Sequence, residues 1–198
     1  MKTILKSADI IQALELLSEK LKQVDVKGEI CIYGGAALLL AFDAREATRD
    51  IDVVFSNPQI LRDAAKSVAE ELEIDKDWIN DGVKGFISHA EDIVSDGMPQ
   101  FSNLRIVRPS AEYLLAMKCM SARAQEVALE GDFKDAQFLM NHLNIKNAHE
   151  VFEIVEKYFF KKQIVPKTQY FIEEAFAELE LSKPIENKLL AKEVKNEI

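Results

Sequence analysis

The chain has 198 residues, of which 48% are hydrophobic and 30% charged, and its formal net charge is −9. This composition is typical of a folded, helix-rich protein with a core of its own, and it excludes a disordered chain. The acidic balance argues against broad electrostatic binding to nucleic acid and leaves room only for a local basic cleft.

The predicted elements begin with a helix over residues 8–23, in which apolar side chains recur at helical spacing with charges between them. A short apolar strand follows over residues 30–33. Gly34 and Gly35 then form a turn that leads into a small apolar helix. The next strand, within residues 48–55, carries two carboxylates.

Turn and breaker residues organise the middle of the chain. Asn57 and Pro58 predict a helix start, as N-cap and first helical residue, and the helix is expected to end near residue 72. Residues 77–82 are rich in turn formers, residues 83–87 form a candidate strand, and residues 90–100 are predicted to be a loop.

A last strand is predicted over residues 103–107, and everything after it has a helical pattern. Pro109 starts a long helix that is expected to reach about residue 129. Further helices are predicted over residues 131–142, 147–161 and 167–180, separated at Gly131, Asn144 and Pro166. The chain therefore divides into an α/β unit over residues 1–108, a helical region over residues 109–181, and a charged tail over residues 182–198.

Neither a membrane nor an oxidising compartment is indicated. The longest apolar run, residues 36–42, is far too short to span a bilayer, and polar residues interrupt the N-terminal segment where a signal peptide would be apolar. Cys31 and Cys119 lie inside apolar runs, which favours buried, reduced thiols over a disulfide framework. We therefore expect a cytoplasmic protein without a membrane partner.

The first candidate site combines the glycine turn with the two acids on the following strand. Side chains alternate across a strand, so Asp50 and Asp52 are predicted to point to one face, where two carboxylates suit Mg²⁺. Gly34 and Gly35 would bring bare backbone N–H groups near a polyphosphate at the start of a helix. The alternative is a routine turn followed by two solvated acids.

A second group of charged residues lies in the helical region. Lys118 is the one cation in an apolar run, Arg123 follows five residues later, and Asp132 and Asp135 share a helix face. A helix hairpin could aim all four side chains into one cleft. Structural alternatives remain open: a snorkelling Lys118, an Arg123 on the helix surface, and an Asp132 that caps a helix.

Together these motifs resemble the nucleotidyltransferase superfamily of DNA polymerase β-like proteins. Within it, they are most similar to the AbiEii-type toxins and related uncharacterised bacterial proteins. The resemblance covers roughly residues 28–145. It implies an α+β (α/β) fold, a small mixed-sheet nucleotidyltransferase unit followed by a helical C-terminal region. The residues that carry it are Gly34, Gly35, Ala37, Leu38, Asp50, Ile51 and Asp52, with Lys118, Arg123, Asp132 and Asp135 downstream.

The resemblance implies a nucleotidyltransferase that binds an NTP with Mg²⁺, for which Mn²⁺ can substitute, and transfers NMP to an RNA, protein or small-molecule acceptor. Asp50 and Asp52 would bind the metal, Lys118 would contact phosphate, and Asp135 or Asp132 would act as a base or orient another site group, with Asp135 the preferred base. The nucleotide-binding set would be Gly34, Gly35, Arg49, Lys118, Arg123 and Asp132. Arg45 and Arg49 both lie near the position where the family has a basic residue. Either could bind phosphate, or could merely neutralise one of the two acids on the strand. A toxin role with an antitoxin partner is a further expectation.

Two departures from the superfamily pattern weaken the implied catalysis. Neither residues 83–87 nor residues 104–107 carry the third carboxylate that many superfamily members place on a later strand. Gly35 also stands where many members have a phosphate-binding serine. A non-catalytic nucleotide-binding or partner-binding module is therefore the main alternative, followed by an interaction protein that uses its C-terminal helices. The oligomeric state is left open.

Overall fold

The structure, a computed structural model, describes residues 4–56, 58–122 and 126–182. Within these residues the strands are β1 (Gly28–Ile32), β2 (Ile51–Phe55), β3 (Ile79–Asn80), β4 (Ile93–Val94) and β5 (Leu104–Pro109). They form one mixed sheet in the order β3-β2-β1-β5-β4. β1 pairs antiparallel with β2 and parallel with β5, while β3 joins β2 in parallel and β4 joins β5 antiparallel.

Seven α-helices surround and extend this sheet in the described part of the chain. They are α1 (Ser7–Gln23), α2 (Gly34–Phe42), α3 (Pro58–Glu71), α4 (Ala111–Ser121), α5 (Glu126–His142), α6 (Ala148–Tyr158) and α7 (Pro166–Ser182). Two short 3₁₀-helices span Gly82–Phe86 and Lys161–Gln163. The predicted α+β fold, a small mixed sheet followed by helices, is confirmed.

The sheet has one apolar face and one that carries polar side chains. Ile51, Val53 and Phe55 of β2 are buried, whereas Asp52 and Val54 alternate with them and are half-buried. The apolar face lies under α1 and α3, whose leucines come within 3.1 Å of the Cβ position of Gly28. Alternation in β2 therefore turns Asp52 away from the helices that cover the core.

Most predicted elements of the α/β unit are confirmed, including α1, β1, α2, β2, α3 and β5. The candidate strand over residues 83–87 was wrong, because this glycine-containing segment forms a 3₁₀-helix and the strand lies earlier, at β3. The short strand β4 also lies inside the predicted loop over residues 90–100. Asn57, the predicted N-cap, falls outside the described residues.

The helical region differs from its prediction at the second break. The first long helix ends at Ser121 rather than near residue 129, and α5 already begins at Glu126. Gly131 therefore lies inside a helix, where it costs about 1 kcal/mol relative to alanine. Asp132 is likewise an interior residue of α5 and not an N-cap. The tail over residues 183–198 lies outside the described residues.

Candidate functional site

The glycine turn and Asp52 adjoin each other at the end of β1. The backbone N–H of Tyr33 donates to the carbonyl oxygen of Asp52 over 2.8 Å, which continues the β1–β2 pairing to the start of α2. Gly34 has a φ of +59°, in the left-handed region that favours glycine. A Cβ on Gly34 would lie 3.2 Å from Asp52 Oδ2. The carboxylate of Asp52 therefore faces the first turn of α2.

Asp50 stands one residue before β2 and Asp52 within it, so the strand itself carries one of the two acids. The hydroxyl of Thr48 donates to the carbonyl oxygen of Asp50 over 3.1 Å. Both aspartates are half-buried. Two carboxylates fit a Mg²⁺ that arrives with a nucleotide, because Mg²⁺ usually takes only one or two carboxylates from the protein and completes its shell with phosphates and water.

Among the described residues, no three or more His, Cys, Asp or Glu side chains are placed to hold a metal ion.

Arg45, in the loop after α2, reaches back over the second glycine. A Cβ on Gly35 would lie 2.8 Å from Arg45 Nη1 and 3.4 Å from Thr48 Oγ1. A larger residue at position 35 would therefore displace the guanidinium from the turn. The other side of the same guanidinium donates from Nε and Nη2 to the two carboxylate oxygens of Asp135, over 2.6 and 2.5 Å.

Lys118 reaches the same carboxylate from α4. Its Nζ lies 2.6 Å from Asp135 Oδ2 and 3.2 Å from Asp132 Oδ1. The side chains are largely removed from water, with exposed fractions of 12% for Lys118, 16% for Asp132 and 4% for Asp135. Arg45, Lys118, Asp132 and Asp135 are called the site cluster below. The cluster joins the loop after α2 to α4 and α5.

The site cluster contains two cations and two carboxylates, which satisfies the rule that buried charges are paired. Asp135 accepts two hydrogen bonds from Arg45 and forms an ion pair with Lys118, so its carboxylate orients both cations. Because Asp135 engages Nε and Nη2, Arg45 keeps Nη1 turned toward Gly35. This arrangement can present a guanidinium N–H to an anion at the start of α2, where the first backbone N–H groups have no partner within the helix.

Two further titratable side chains lie near the site, Cys31 on β1 and Tyr33 directly after it. Burial raises the pKa of the Cys31 thiol to about 11, and burial, followed by the hydrogen bond with Cys31, raises the pKa of Tyr33. Both groups are therefore protonated at neutral pH, and Cys31 does not supply a nucleophilic thiolate. Cys31 and Cys119 are both free and buried, as predicted.

The structure brings together most of the predicted site residues, in two adjoining groups. Gly34, Gly35 and Asp52 form the first, and Lys118, Asp132 and Asp135 belong to the second. Arg45 links the groups, whereas Arg49 is exposed and Arg123 lies outside the described residues. The sequence left Arg45 and Arg49 as alternatives because the contact that distinguishes them, with Asp135, spans 90 positions.

The glycine turn before α2, the acid on the next strand and the lysine–aspartate pair between α4 and α5 all lie within a segment that matches the model of a nucleotidyltransferase-like family. The chain belongs to a family described as nucleotidyltransferase of unknown function (DUF6036), whose model matches residues 8–167. Comparison with curated proteins and with solved structures gave no match. In the described part of the chain, no helix has the length and apolar character needed to cross a membrane.

Proposed function

We propose that this protein binds an NTP together with Mg²⁺ and transfers NMP to a hydroxyl group of an acceptor. One observation carries the proposal: Arg45 and Lys118, from distant parts of the chain, both bind the buried carboxylate of Asp135 beside Gly35. Assembling two cations on one buried carboxylate, with one of them at a glycine turn, costs conformational entropy and desolvation. Two cations placed in this way suit the binding of a polyphosphate.

Arg45 and Lys118 bind the phosphates in this proposal, each in a different way. Arg45 offers Nη1 at the glycine turn, next to the backbone N–H groups that begin α2, and its planar guanidinium suits a phosphate. Lys118 adds a point charge on the side of α4. Asp135 is assigned a positioning role instead of the role of a base, because its carboxylate oxygens accept hydrogen bonds from Arg45 and form an ion pair with Lys118.

Asp50 and Asp52 are proposed to hold Mg²⁺, or Mn²⁺ in its place. When bound, the metal ion neutralises charge on the phosphate oxygens. The acceptor oxygen forms a bond to the α-phosphorus, the bond to pyrophosphate breaks, pyrophosphate leaves with the electron pair, and the hydroxyl proton passes to water. Arg45 and Lys118 stabilise the charge that develops on the leaving pyrophosphate.

An RNA end, a protein side chain and a small molecule all offer the hydroxyl that this reaction needs. The likeness to AbiEii-type toxins supports the narrower proposal that the acceptor is a cellular macromolecule and that an antitoxin partner restrains the activity. The acidic balance of the chain favours acceptors that do not rely on long-range attraction to a basic surface.

The proposal is tested by incubating the protein with each α-labelled NTP, Mg²⁺ or Mn²⁺, and separate RNA and protein fractions of a cell extract. We expect label transfer by the wild type and a loss of at least about 10²-fold in Asp52→Asn, because developing charge is no longer neutralised. Arg45→Ala is expected to lose a similar amount, whereas the matched control Arg49→Ala, which removes an exposed arginine, retains transfer.

Transfer that survives Asp52→Asn and Arg45→Ala would refute the proposed catalytic site. A non-catalytic nucleotide-binding module is the second candidate, and it is favoured because no three or more His, Cys, Asp or Glu side chains are placed to hold a metal ion in the described residues. Stabilisation of the wild type by NTP and Mg²⁺ in thermal unfolding, without label transfer to any fraction, would select that candidate. A ligand present at 100 times its Kd stabilises by about 2.7 kcal/mol, which such a measurement resolves.

A further inference from the structure

The residue beside Asp52 in the sheet belongs to β3. β2 and β3 pair in parallel, and their register places the Cα of Asp52 opposite that of Asn80 and the Cα of Ile51 opposite that of Ile79. Residues opposite each other in a sheet present their side chains on the same face. Ile51 and Ile79 are both buried, and Asp52 and Asn80 are both half-buried. Asn80 therefore lies next to Asp52 on the face that carries the candidate site.

The carboxamide of Asn80 is held in one orientation. Its Oδ1 accepts a hydrogen bond from the backbone N–H of Gly82 over 2.9 Å. A Cβ on Gly82 would lie 3.0 Å from the same oxygen, so glycine leaves the room that this contact needs. A carbonyl oxygen has two lone pairs, and this hydrogen bond uses one. Asn80 thus presents an oriented oxygen that can accept a second interaction.

The nearest acid in sequence is engaged elsewhere. Asp81 forms ion pairs with Arg62 of α3 and with Lys84, the latter over 2.6 Å. Both partners hold its carboxylate within this group of charges. β3 consequently presents a neutral oxygen, and not a carboxylate, beside Asp52.

We propose that Asn80 Oδ1 is a third protein ligand of the Mg²⁺ held by Asp50 and Asp52; this inference rests on the proposed function. Oxygen ligands, including asparagine carbonyls, suit hard cations. A neutral third ligand adds donor geometry without a third negative charge. The free protein then binds the metal weakly, and the triphosphate of the nucleotide supplies the missing charge. Because residue 80 is a neutral asparagine, tight binding of the metal depends on the nucleotide being bound as well.

The inference is tested by measuring Mn²⁺ binding with electron paramagnetic resonance, with and without a nonhydrolysable NTP. Asn80→Asp keeps an acceptor for the N–H of Gly82 and adds a charge, so we expect about tenfold tighter Mn²⁺ binding without nucleotide. Asn80→Ala removes the ligand and is expected to weaken binding about tenfold. Thermal unfolding of each variant establishes that it is folded.

Two controls separate ligation from a general change of charge. Asn141→Asp adds the same charge at an exposed position of α5, and Asp81→Asn removes one from the neighbouring residue; both are expected to bind Mn²⁺ like the wild type. Equal affinities in both Asn80 variants, with binding that still depends on Asp52, would overturn the role of Asn80 and leave the proposed function intact. A wild type that binds no Mn²⁺ even with nucleotide would overturn both.

Discussion

Two charged clusters connect the C-terminal helices to earlier parts of the chain, and they differ in burial. The site cluster centres on Asp135, whose side chain is 4% exposed. A second group, called the support cluster, consists of Asp92, Glu112, Lys157 and Tyr158. In it, Tyr158 donates to Asp92 over 2.9 Å and Lys157 lies 2.6 Å from Glu112. Lys157 and Glu112 are 56% and 39% exposed.

The difference in burial indicates which of the two clusters has a use beyond holding elements together. Exposed ion pairs contribute little to stability, because water already solvates both partners, whereas a buried pair becomes costly when one partner is lost. The support cluster needs no further explanation than joining the chain before β4 to α4 and α6. Joining elements through the buried site cluster costs more desolvation. Of the two clusters, only this one includes a cation that contacts the glycine turn.

The largest expected effect comes from breaking the centre of the site cluster. Asp135→Asn removes the carboxylate that pairs with Arg45 and leaves Lys118 with Asp132 alone in a largely buried cluster, so we expect the free energy of unfolding to fall by about 3 kcal/mol. Urea unfolding monitored by circular dichroism measures this change. The matched substitution in the support cluster, Glu112→Gln, is expected to cost less than about 1 kcal/mol. Equal losses in the two variants would contradict the distinction between the clusters.

A smaller effect is expected from crowding the link between the glycine turn and the site cluster. In Gly35→Ala the new Cβ would lie 2.8 Å from Arg45 Nη1, so the guanidinium must move. We expect NTP affinity to fall about tenfold, a loss comparable to that of one hydrogen bond to a charged group. Equilibrium binding of a fluorescent NTP analogue measures it.

Gly131→Ala is the control for this substitution, because nothing lies within 4 Å of its Cβ position. Alanine there should stabilise α5 by up to about 1 kcal/mol and leave NTP affinity unchanged. If Gly35→Ala binds NTP as well as Gly131→Ala does, then the position of Arg45 at the turn has no role in nucleotide binding.

Local pattern was enough to predict the part of the site that lies close together in sequence. The turn at Gly34 and Gly35 and the acid at Asp52 fall within 19 positions, and alternation in one strand determines where Asp52 points. The helices also followed from their periodicity, except at the break between α4 and α5. There the sequence offers no strong breaker before Gly131, and that glycine is accommodated inside α5.

Contacts between distant segments could not be predicted in the same way. Arg45 and Arg49 differ little in local sequence, and only the packing of α5 against the loop after α2 brings Asp135 to Arg45. The position of Asn80 depended on a two-residue strand, which is too short to give a periodic signal. Sheet register, which determines the neighbour of Asp52, depends on tertiary pairing and not on propensity.

The smallest expected effect is a pH dependence that belongs to the support cluster. Hydrogen bonds from Ser110 and then from Tyr158 hold the pKa of Asp92 below its usual value. A depressed folded-state pKa stabilises the protein above the unfolded pKa of about 3.9, and this contribution disappears as the pH falls through the lower folded pKa. Asp92→Asn should therefore cost about 1 kcal/mol at pH 7, and the difference from the wild type should shrink below about pH 4.

Urea unfolding at a series of pH values measures this, with the exposed Glu174→Gln as a control whose small difference stays constant. A difference for Asp92→Asn that persists unchanged at acidic pH would mean that the variant acts through packing and not through the charge of residue 92.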